Sequence, residues 1–454
     1  MLRLMRLAMT VVSVACLLGP PAAGADWPQL QNGPQRLGYS PENIDVPLKN
    51  VWAYGFSPER VFPQAQPVVA GGRLFIGTAM GSFKAFGANN GSKLWSFSAG
   101  GPILHTAGVE NDRAFFGCLD GGVYALNVAN GEQAWRFDRG LRTGFSTAVL
   151  LAEGKVFIAN RKGVYYALSQ QEGAQVWRRD IGVPILMSSA YENGRVFFGA
   201  MDMRVYALDA KTGEILWRSD VLHGAAFKDY WPVAYQGCVF IRPTPVSGGA
   251  WGPAIEWLKG LLPEQYLTQQ EAQIKAFEDN PTTKNLFVLD QKTGKEPFTV
   301  PHWITQTMNG APTPPCVDGD GLLIIPVTLH DWRGGWGRLD MSKRRVVEVL
   351  CDGDTAYLQQ RGYMRGSGNS DENLNVSAAG RLVLTFHTEE GNANFTGVWH
   401  LDRHEWVQLP PYQAEQYFVS NTQGGGGNAP SIAEGMIYHT TWNTLNCRAA
   451  MPAP

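Results

Sequence analysis

The chain has 454 residues, of which 44% are hydrophobic and 17% charged, and its formal net charge is −2. This balance excludes an intrinsically disordered chain, which requires low hydrophobicity and high net charge. It also excludes the strongly basic surface with which proteins bind nucleic acid.

Residues 1–25 are predicted to form a secretory signal peptide. Arg3 and Arg6 precede an apolar run at residues 7–18, and Ala23-Gly24-Ala25 fits the small-residue cleavage pattern. The apolar run is too short to cross a bilayer as a helix. We therefore expect a secreted protein, periplasmic or extracellular, that has no transmembrane segment.

Residues 73–217 contain four copies of one sequence pattern. Each copy consists of two short apolar strands, a glycine turn and a tryptophan. The turn glycines are Gly91, Gly131, Gly173 and Gly213, and the tryptophans are Trp95, Trp135, Trp177 and Trp217. A repeat of about 40–45 residues built from short strands is typical of a β-propeller blade.

Weaker copies of the second strand follow at residues 237–240, 321–324, 381–384 and 435–438. Together the copies predict an all-β fold, a single eight-bladed propeller of four-stranded antiparallel blades over residues 26–454. The last copy lacks a fourth strand, and an unpaired edge is a liability. We expect residues 48–54, with Trp52 in the position of the repeat tryptophan, to complete blade eight. Trp52 and the four repeat tryptophans are predicted to pack between blades.

Four insertions interrupt the second half of the chain. We name the strands of a blade a to d in chain order. The insertion at 243–284, with predicted helices at 254–262 and 263–277, and the one at 326–336 lie between strands b and c of blades five and six. Those at 351–373 and 411–428 lie between strand d and the next strand a. Because antiparallel strands alternate in direction, all four are predicted on one side of the ring, here called the insertion face.

The segment Ala207 to Trp217, ALDAKTGEILW, resembles the tryptophan-docking repeat of the pyrroloquinoline-quinone (PQQ) propeller superfamily. The opening Asp26-Trp27-Pro28-Gln29 and Gly38-Tyr39-Ser40-Pro41 resemble the start of these proteins. The resemblance implies one of two branches. One contains quinone-dependent dehydrogenases, which bind the quinone and calcium in the central funnel, many of them with a disulfide between adjacent cysteines. The other contains a non-catalytic scaffold of outer-membrane β-barrel assembly.

The sequence has no adjacent cysteine pair, and its length is that of the scaffold branch. Five cysteines follow residue 25, and we expect them to be small buried apolar residues. Asp318-Gly319-Asp320-Gly321 superficially resembles a calcium loop, but Leu329 stands where such a loop needs Glu. An acidic turn between strands a and b is therefore expected there.

Polar and aromatic side chains near the funnel and on the insertion face are candidates for binding an anionic ligand or a partner's peptide. Solvent-exposed rim residues or, for the tryptophans, core packing are the alternative interpretations. These candidates are Gln66, His105, Arg142, Trp251, Trp257, Arg361, Arg365, Asp371 and Glu372.

The sequence favours a secreted, non-catalytic propeller that binds a protein partner on its insertion face, and a monomer is expected. No cofactor is expected under this interpretation. The alternatives are a PQQ- and calcium-dependent dehydrogenase with a diverged site and a binder of carbohydrate or another small ligand.

Overall fold

A computed structural model describes residues 25–138, 143–246, 257–302, 313–329, 333–350, 375–389, 392–407, 429–440 and 443–451. These residues form eight β-sheets in which consecutive strands pair antiparallel. The predicted eight-bladed propeller is therefore confirmed. The predicted signal peptide lies outside the described residues, except for Ala25.

Blades one to four each have four strands. In the order a to d, their bounds are Val68–Ala70, Arg73–Gly77, Ser82–Gly87 and Lys93–Ser98; Gly108–Glu110, Arg113–Gly117, Gly122–Asn127 and Gln133–Asp138; Leu150–Ala152, Lys155–Ala159, Val164–Ser169 and Gln175–Asp180; and Ala190–Glu192, Arg195–Gly199, Val205–Asp209 and Ile215–Arg218.

Blades five to eight follow the same order with local changes. Their strands are Val233–Tyr235, Cys238–Ile241 and Phe287–Asp290; Cys316–Val317, Leu323–Leu329, Arg333–Asp340 and Arg345–Val349; Asn375–Ala379, Leu382–Glu389, Asn392–His400 and Glu405–Val407; and Ser431–Ala433, Met436–Thr440 and Thr444–Ala450, beside which lies Leu48–Gly55. A short strand, Tyr39–Ser40, pairs parallel with strand a of blade seven.

The strand Leu48–Gly55, which precedes blade one in the sequence, is the outermost strand of blade eight. Leu48 pairs with Ala450, and the antiparallel register continues to Gly55 opposite Thr444. Phe56 N–H extends the contact by donating to the Asn443 carbonyl at 2.7 Å. The two ends of the described chain thus share one sheet.

Each repeat tryptophan packs on the c–d turn of the following blade. The indole N–H donates to a backbone carbonyl there, as from Trp177 to Ala210 at 3.1 Å. The ring lies against the turn glycine so closely that a Cβ at Gly213 would be 2.6 Å from the Trp177 ring. The pairs are Trp52 with Gly91, Trp95 with Gly131, Trp135 with Gly173, Trp177 with Gly213 and Trp217 with Gly294. These contacts link five successive pairs of blades, from blade eight through blades one to four to blade five.

The outer strands share a β-bulge immediately before this tryptophan or its equivalent. The strand register skips one residue at each of these positions, and the skipped residue is exposed on the circumference of the ring. These residues are Val51, Leu94, Ala134, Val176, Leu216 and Val347. A bulge twists an edge strand and interrupts its row of free hydrogen-bonding groups.

Blade five departs from the predicted four strands. Its described residues contain three paired strands, and residues 295–302 follow the third without strand pairing. Pro297 and Pro301 explain the difference, because proline has no N–H to donate to a β-ladder. The helical insertion packs against this segment, since the Tyr266 hydroxyl donates to the Pro301 carbonyl at 3.1 Å and Phe277 stacks on His302.

The insertion contains two α-helices, Pro263–Thr268 and Gln270–Asp279, and two 3₁₀ turns, Trp257–Gly260 and Pro281–Thr283. Its position between strands b and c of blade five is as predicted. The Gln270 side-chain amide bonds to both the N–H and the carbonyl of Val346, at 2.9 and 2.7 Å, and so covers the outer edge of blade six. The insertion is therefore part of the packing between blades five and six.

The insertion predicted at residues 326–336 is instead an extension of two strands. Pro326 pairs with Trp336, and the ladder of strands b and c of blade six continues to Leu329 opposite Arg333. Strand pairing satisfies backbone groups that a loop would leave to water. The insertions at 351–373 and 411–428 lie outside the described residues.

Cys118, Cys238, Cys316 and Cys447 are buried free thiols, as expected for small apolar residues. Asp318 forms the predicted acidic turn, in which one carboxylate oxygen accepts from Asp320 N and Leu322 N and the other from Arg338. Within the described ranges, no helix is long and apolar enough to cross a membrane.

We expect Gly213→Ala to destabilise the protein far more than Gly194→Ala. Both glycines belong to blade four and have positive φ, +73° and +75°, so both substitutions incur about 1 kcal/mol of backbone strain. Only a Cβ at Gly213 would overlap the Trp177 ring, whereas none at Gly194 would meet any atom within 4 Å. The overlap should add about 1–3 kcal/mol to the loss in unfolding free energy measured with urea. Equal losses for the two variants would contradict the docking contact.

Candidate functional site at the propeller axis

The first strand of each blade faces the propeller axis. Strand a pairs with strand b on one side, so its inner edge needs another partner for its backbone groups. Residues 25–42, here called the axial segment, supply that partner. They lie near the a–b turns, on the side of the ring opposite the insertion face, here called the turn face.

The axial segment contacts strand a, or the turn that follows it, in all eight blades in their order around the ring. The backbone bonds are Trp27 with Val69 (2.8 and 2.9 Å), Pro28 O with Val109 N (2.7 Å), Pro34 O with Tyr191 N (2.8 Å), Gln35 O with Ala234 N (3.0 Å), Leu37 O with Val317 N (2.8 Å), Gly38 O with Ala378 N (2.8 Å) and Ala25 O with Glu434 N (3.3 Å). In blade three the Gln29 side chain bonds to both backbone groups of Leu151.

The middle of the axial segment fills the centre of this circle. Leu30 is fully buried and belongs to one apolar cluster with Ala148 of blade three and Val233 of blade five. Gln31 is also buried, and its N–H bonds to Gln66 of blade one. Because one short segment contacts blades on several sides of the axis, it closes the channel at the turn face.

Arg36 fixes the axial segment to blades three and four. Its guanidinium is fully buried and donates to the carbonyls of Leu30, Val149 and Ser189 at 2.9–3.0 Å and to the Gln29 side-chain oxygen at 3.2 Å. These partners are all neutral oxygens. Burial lowers the pKa of Arg36 to about 9, so the group remains a cation at neutral pH.

Gln66, predicted as a funnel residue, joins three parts of the chain. Its side-chain oxygen accepts from Trp27 Nε1 at 3.2 Å and from Gln31 N at 2.8 Å, and its nitrogen donates to the Ala429 carbonyl at 2.8 Å. The side chain is 2% exposed. Its polar atoms therefore connect blade one, the axial segment and the start of blade eight.

His105, the second predicted funnel residue, has one defined tautomer. Its Nδ1 accepts a hydrogen bond from Thr106 N at 2.9 Å, so the proton lies on Nε2, which faces Ser188 Oγ at 3.1 Å and the Asp229 carbonyl at 3.3 Å. Because Nε2 already carries a proton, His105 cannot act as a general base for Ser188. Burial lowers the pKa of His105 to about 3.

Of the other predicted candidates, Trp257 is described and lies partly exposed in the 3₁₀ turn of the blade-five insertion. The remaining candidates lie outside the described residues: Arg142, Trp251, Arg361, Arg365, Asp371 and Glu372. The structure thus brings Gln66 and His105 to the axis and places Trp257 on the insertion.

The exposed large apolar side chains of the described residues fall into two main groups. One group follows the outer strands. The other lies in the b–c and d–a connections of the insertion face and consists of Phe62, Met80, Val221, Val246, Trp257 and Leu262. Met451, after the last strand, belongs to neither group. Of the two faces of the ring, the insertion face is therefore the one on which the described residues include exposed large apolar side chains.

The carbonyl oxygens around Arg36 are a poor site for the calcium of the dehydrogenase branch. Calcium binds carboxylate and carbonyl oxygens, but the carbonyls of Leu30, Val149 and Ser189 already accept from Arg36. The buried charge of Arg36 would also repel a divalent cation. In the described ranges, no three His, Cys, Asp or Glu side chains form a group that could hold a metal ion.

Sequence reasoning missed Arg36, Gln29 and the closure of the axis. The available signal was weak, since Leu30 and Leu37 are merely apolar residues in a polar stretch before the first blade. Their partners are backbone groups distributed over all eight blades, which no local pattern reveals.

The fold and the packed axis define an eight-bladed, tryptophan-docked propeller. A sequence profile of the outer membrane protein assembly factor BamB matches residues 49–150 and 120–228, which is less than half of the chain. Lupanine 17-hydroxylase [cytochrome c] of a Pseudomonas species is 63% identical over 35 residues, which are 8% of this chain and 5% of that relative.

Two solved structures share the fold over most of the chain. BamB from Moraxella catarrhalis has a TM-score of 0.56 and 14% identity, and the match covers 90% of this chain and 99% of that chain. The quinohemoprotein alcohol dehydrogenase ADHIIG from Pseudomonas putida HK5 has a TM-score of 0.59 and 14% identity, with 94% and 82% covered. These solved structures show that the chain shares their propeller fold, and within it residues 49–228 match the BamB profile.

We expect the free energy of unfolding to fall steeply on acidification below pH 6.5. Burial lowers the pKa of both His105 and His302 to about 3, so both stay neutral in the fold while the unfolded chain binds protons. Stability from each histidine is present above its unfolded pKa of about 6.5 and is lost at about 1.4 kcal/mol per pH unit as the pH falls towards 3.

The free energy of unfolding in urea is measured between pH 7 and pH 5 for the unsubstituted protein and for His105→Gln. The variant should lose less of it on acidification, by about 1.4 kcal/mol per pH unit. His404→Gln is the matched control, because His404 is 64% exposed. An unchanged slope in His105→Gln would show that His105 does not remain neutral in the folded protein.

Proposed function

We propose that this protein is a secreted, non-catalytic scaffold that binds a protein partner through its insertion face, in assembly of the outer membrane or cell envelope. The observation that carries the proposal is the asymmetry of the ring. The axial segment closes the turn face, while exposed apolar side chains lie on the insertion face.

Two apolar patches form the proposed binding surface. In blade one, Phe62 is 36% and Met80 65% exposed, and the loops that carry them are joined by the bond from Ala79 N to Arg60 O at 2.7 Å. Near blade four, Val221 is 61% exposed. Exposed apolar groups on a rigid scaffold are typical of protein-binding surfaces.

The second patch lies beside Met203, whose side chain is partly buried. Leu222 N bonds to the Met203 carbonyl at 2.8 Å, which holds the loop of Val221 beside the b–c turn of blade four. Methionine adapts to irregular partner surfaces. Such a surface suits a partner that presents apolar side chains.

Gln66 and His105 are excluded from the proposed surface, because their polar atoms bond within the protein. Trp257 remains a candidate contact at the edge of blade five, and the candidates outside the described residues remain predictions. The likeness to the assembly factor BamB supports the choice of partner class.

We expect a photo-crosslinking residue at Met80 or at Val221, introduced into the protein in its native cells, to capture a protein of the outer-membrane or envelope assembly apparatus. The control position is Leu94, an aliphatic residue 48% exposed on an outer strand. Adducts are identified by mass spectrometry. The same adducts from Leu94, or adducts with unrelated proteins at Met80 and Val221, would contradict the proposal.

The dehydrogenase alternative has its own test, since the fold also matches quinohemoprotein alcohol dehydrogenases. Purified protein is mixed with PQQ and calcium, and binding is followed by absorbance and by dye reduction with alcohols and sugars. We expect no stoichiometric binding, because Arg36 occupies the axial carbonyls. Stoichiometric quinone binding with substrate-dependent dye reduction would replace the scaffold by an enzyme.

A further inference from the structure

The two ends of the axial segment meet at one carboxylate. Ala25 N donates to Glu42 Oε1 at 2.5 Å, so the first residue of the segment bonds to the last. The other oxygen of Glu42 accepts from Gly435 N at 3.0 Å. Glu42 thus closes the circle around the axis and joins it to the a–b turn of blade eight.

Two further carboxylates lie near this junction. Glu434 N donates to the Ala25 carbonyl at 3.3 Å, and Glu434 Oε1 accepts from Gly72 N at 2.8 Å. Asp26, next to Ala25, accepts from Gly71 N at 3.0 Å. No described Lys, Arg or His forms an ion pair with Glu42, Glu434 or Asp26. Among the described residues, the carboxylates of this junction therefore carry negative charge without an ion-paired cation.

Tyr438 is a further titratable group near this junction. Burial is the main cause that raises its pKa, and the charges of Glu434 and Glu42 raise it further. Its hydroxyl therefore stays neutral through the alkaline range and supplies no compensating charge.

We propose that the mature protein begins at Ala25 and that Glu42 binds its α-ammonium group. Hydrolysis of the Gly24–Ala25 bond during removal of the leader consumes one water and leaves a carboxylate on Gly24 and an ammonium on Ala25. Ala22 and Gly24 then take the two small-residue positions before the cleaved bond. This places cleavage one residue earlier than the pattern Ala23-Gly24-Ala25 predicts.

A free amino terminus would stabilise the junction in a way that an amide cannot. A charge-assisted hydrogen bond is roughly twice as strong as a neutral one. The new cation would also offset the charges of Glu42, Glu434 and Asp26. Removal of the leader would thereby strengthen the contact between Ala25 and Glu42, the two ends of the axial segment. The proposal shares only the expectation of a leader with the proposed function.

The sign of the pH dependence follows from this pairing. An α-amino group has an ordinary pKa of about 7.7–8.0, and the nearby carboxylates raise it in the fold. The stability that it contributes is complete below the ordinary pKa and is lost as the pH rises through the raised value.

The first test is the mass of the protein secreted by its native cells, which should correspond to residues 25–454. The second compares the melting temperature of two purified chains, one that begins at Ala25 and one that retains Gly24 before it. At pH 6.5 the chain that begins at Ala25 should melt about 1–3 °C higher, and the difference should disappear at alkaline pH.

Glu42→Gln removes the negative charge, and its single side-chain oxygen can accept from the terminal nitrogen or from Gly435 N but not from both. In this variant the two chains should melt at the same temperature at pH 6.5. A matched control is Glu132→Gln, in the exposed c–d turn of blade two, which should preserve the difference. A native mass that starts at another residue, or equal melting temperatures in the unsubstituted pair, would overturn the proposal.

Discussion

The contact between an indole and a turn glycine of the next blade is the interaction on which the ring depends. A blade sheet has two apolar faces, and each must be covered by a neighbour. Trp135, Trp177 and Trp217 are all nine-tenths or more buried at such an interface. The indole also satisfies a backbone carbonyl of the next blade, so one side chain fixes both the distance and the register between blades.

The axis imposes a second constraint, because a ring of blades leaves eight inner edges without partners. Residues 25–42 bond to all eight blades, through the backbone in seven of them and through the Gln29 side chain in blade three, and fill the centre with Leu30. The buried Arg36 holds the segment through carbonyls of two blades. A channel built to bind a ligand needs polar groups that are still available. Here those of Gln66, His105 and Arg36 are already used within the protein.

The repeat allowed the fold to be predicted because its information is local and periodic. Gly213 and Trp217 lie four residues apart, and the same spacing recurs in the other strong copies. The actual partner of Gly213 is nevertheless Trp177 of the preceding blade, which the pattern within one copy does not indicate. The candidate site could not be predicted because it depends on contacts between distant residues, such as Gln66 with Ala429. In blade five, the described residues 295–302 form no fourth strand for a local reason, Pro297 and Pro301.

The circular path of residues 25–42 has a consequence for the order of folding. These residues leave the ribosome before any blade, but Glu434 and Gly435, to which Ala25 and Glu42 bond, are made almost last. Blades one to four can assemble from nearby sequence while the axial segment waits for its remaining partners. Contacts of such long sequence separation slow folding. A nascent chain of this protein must therefore keep the axial segment, whose backbone can pair with exposed strand edges, from pairing elsewhere until synthesis is nearly complete.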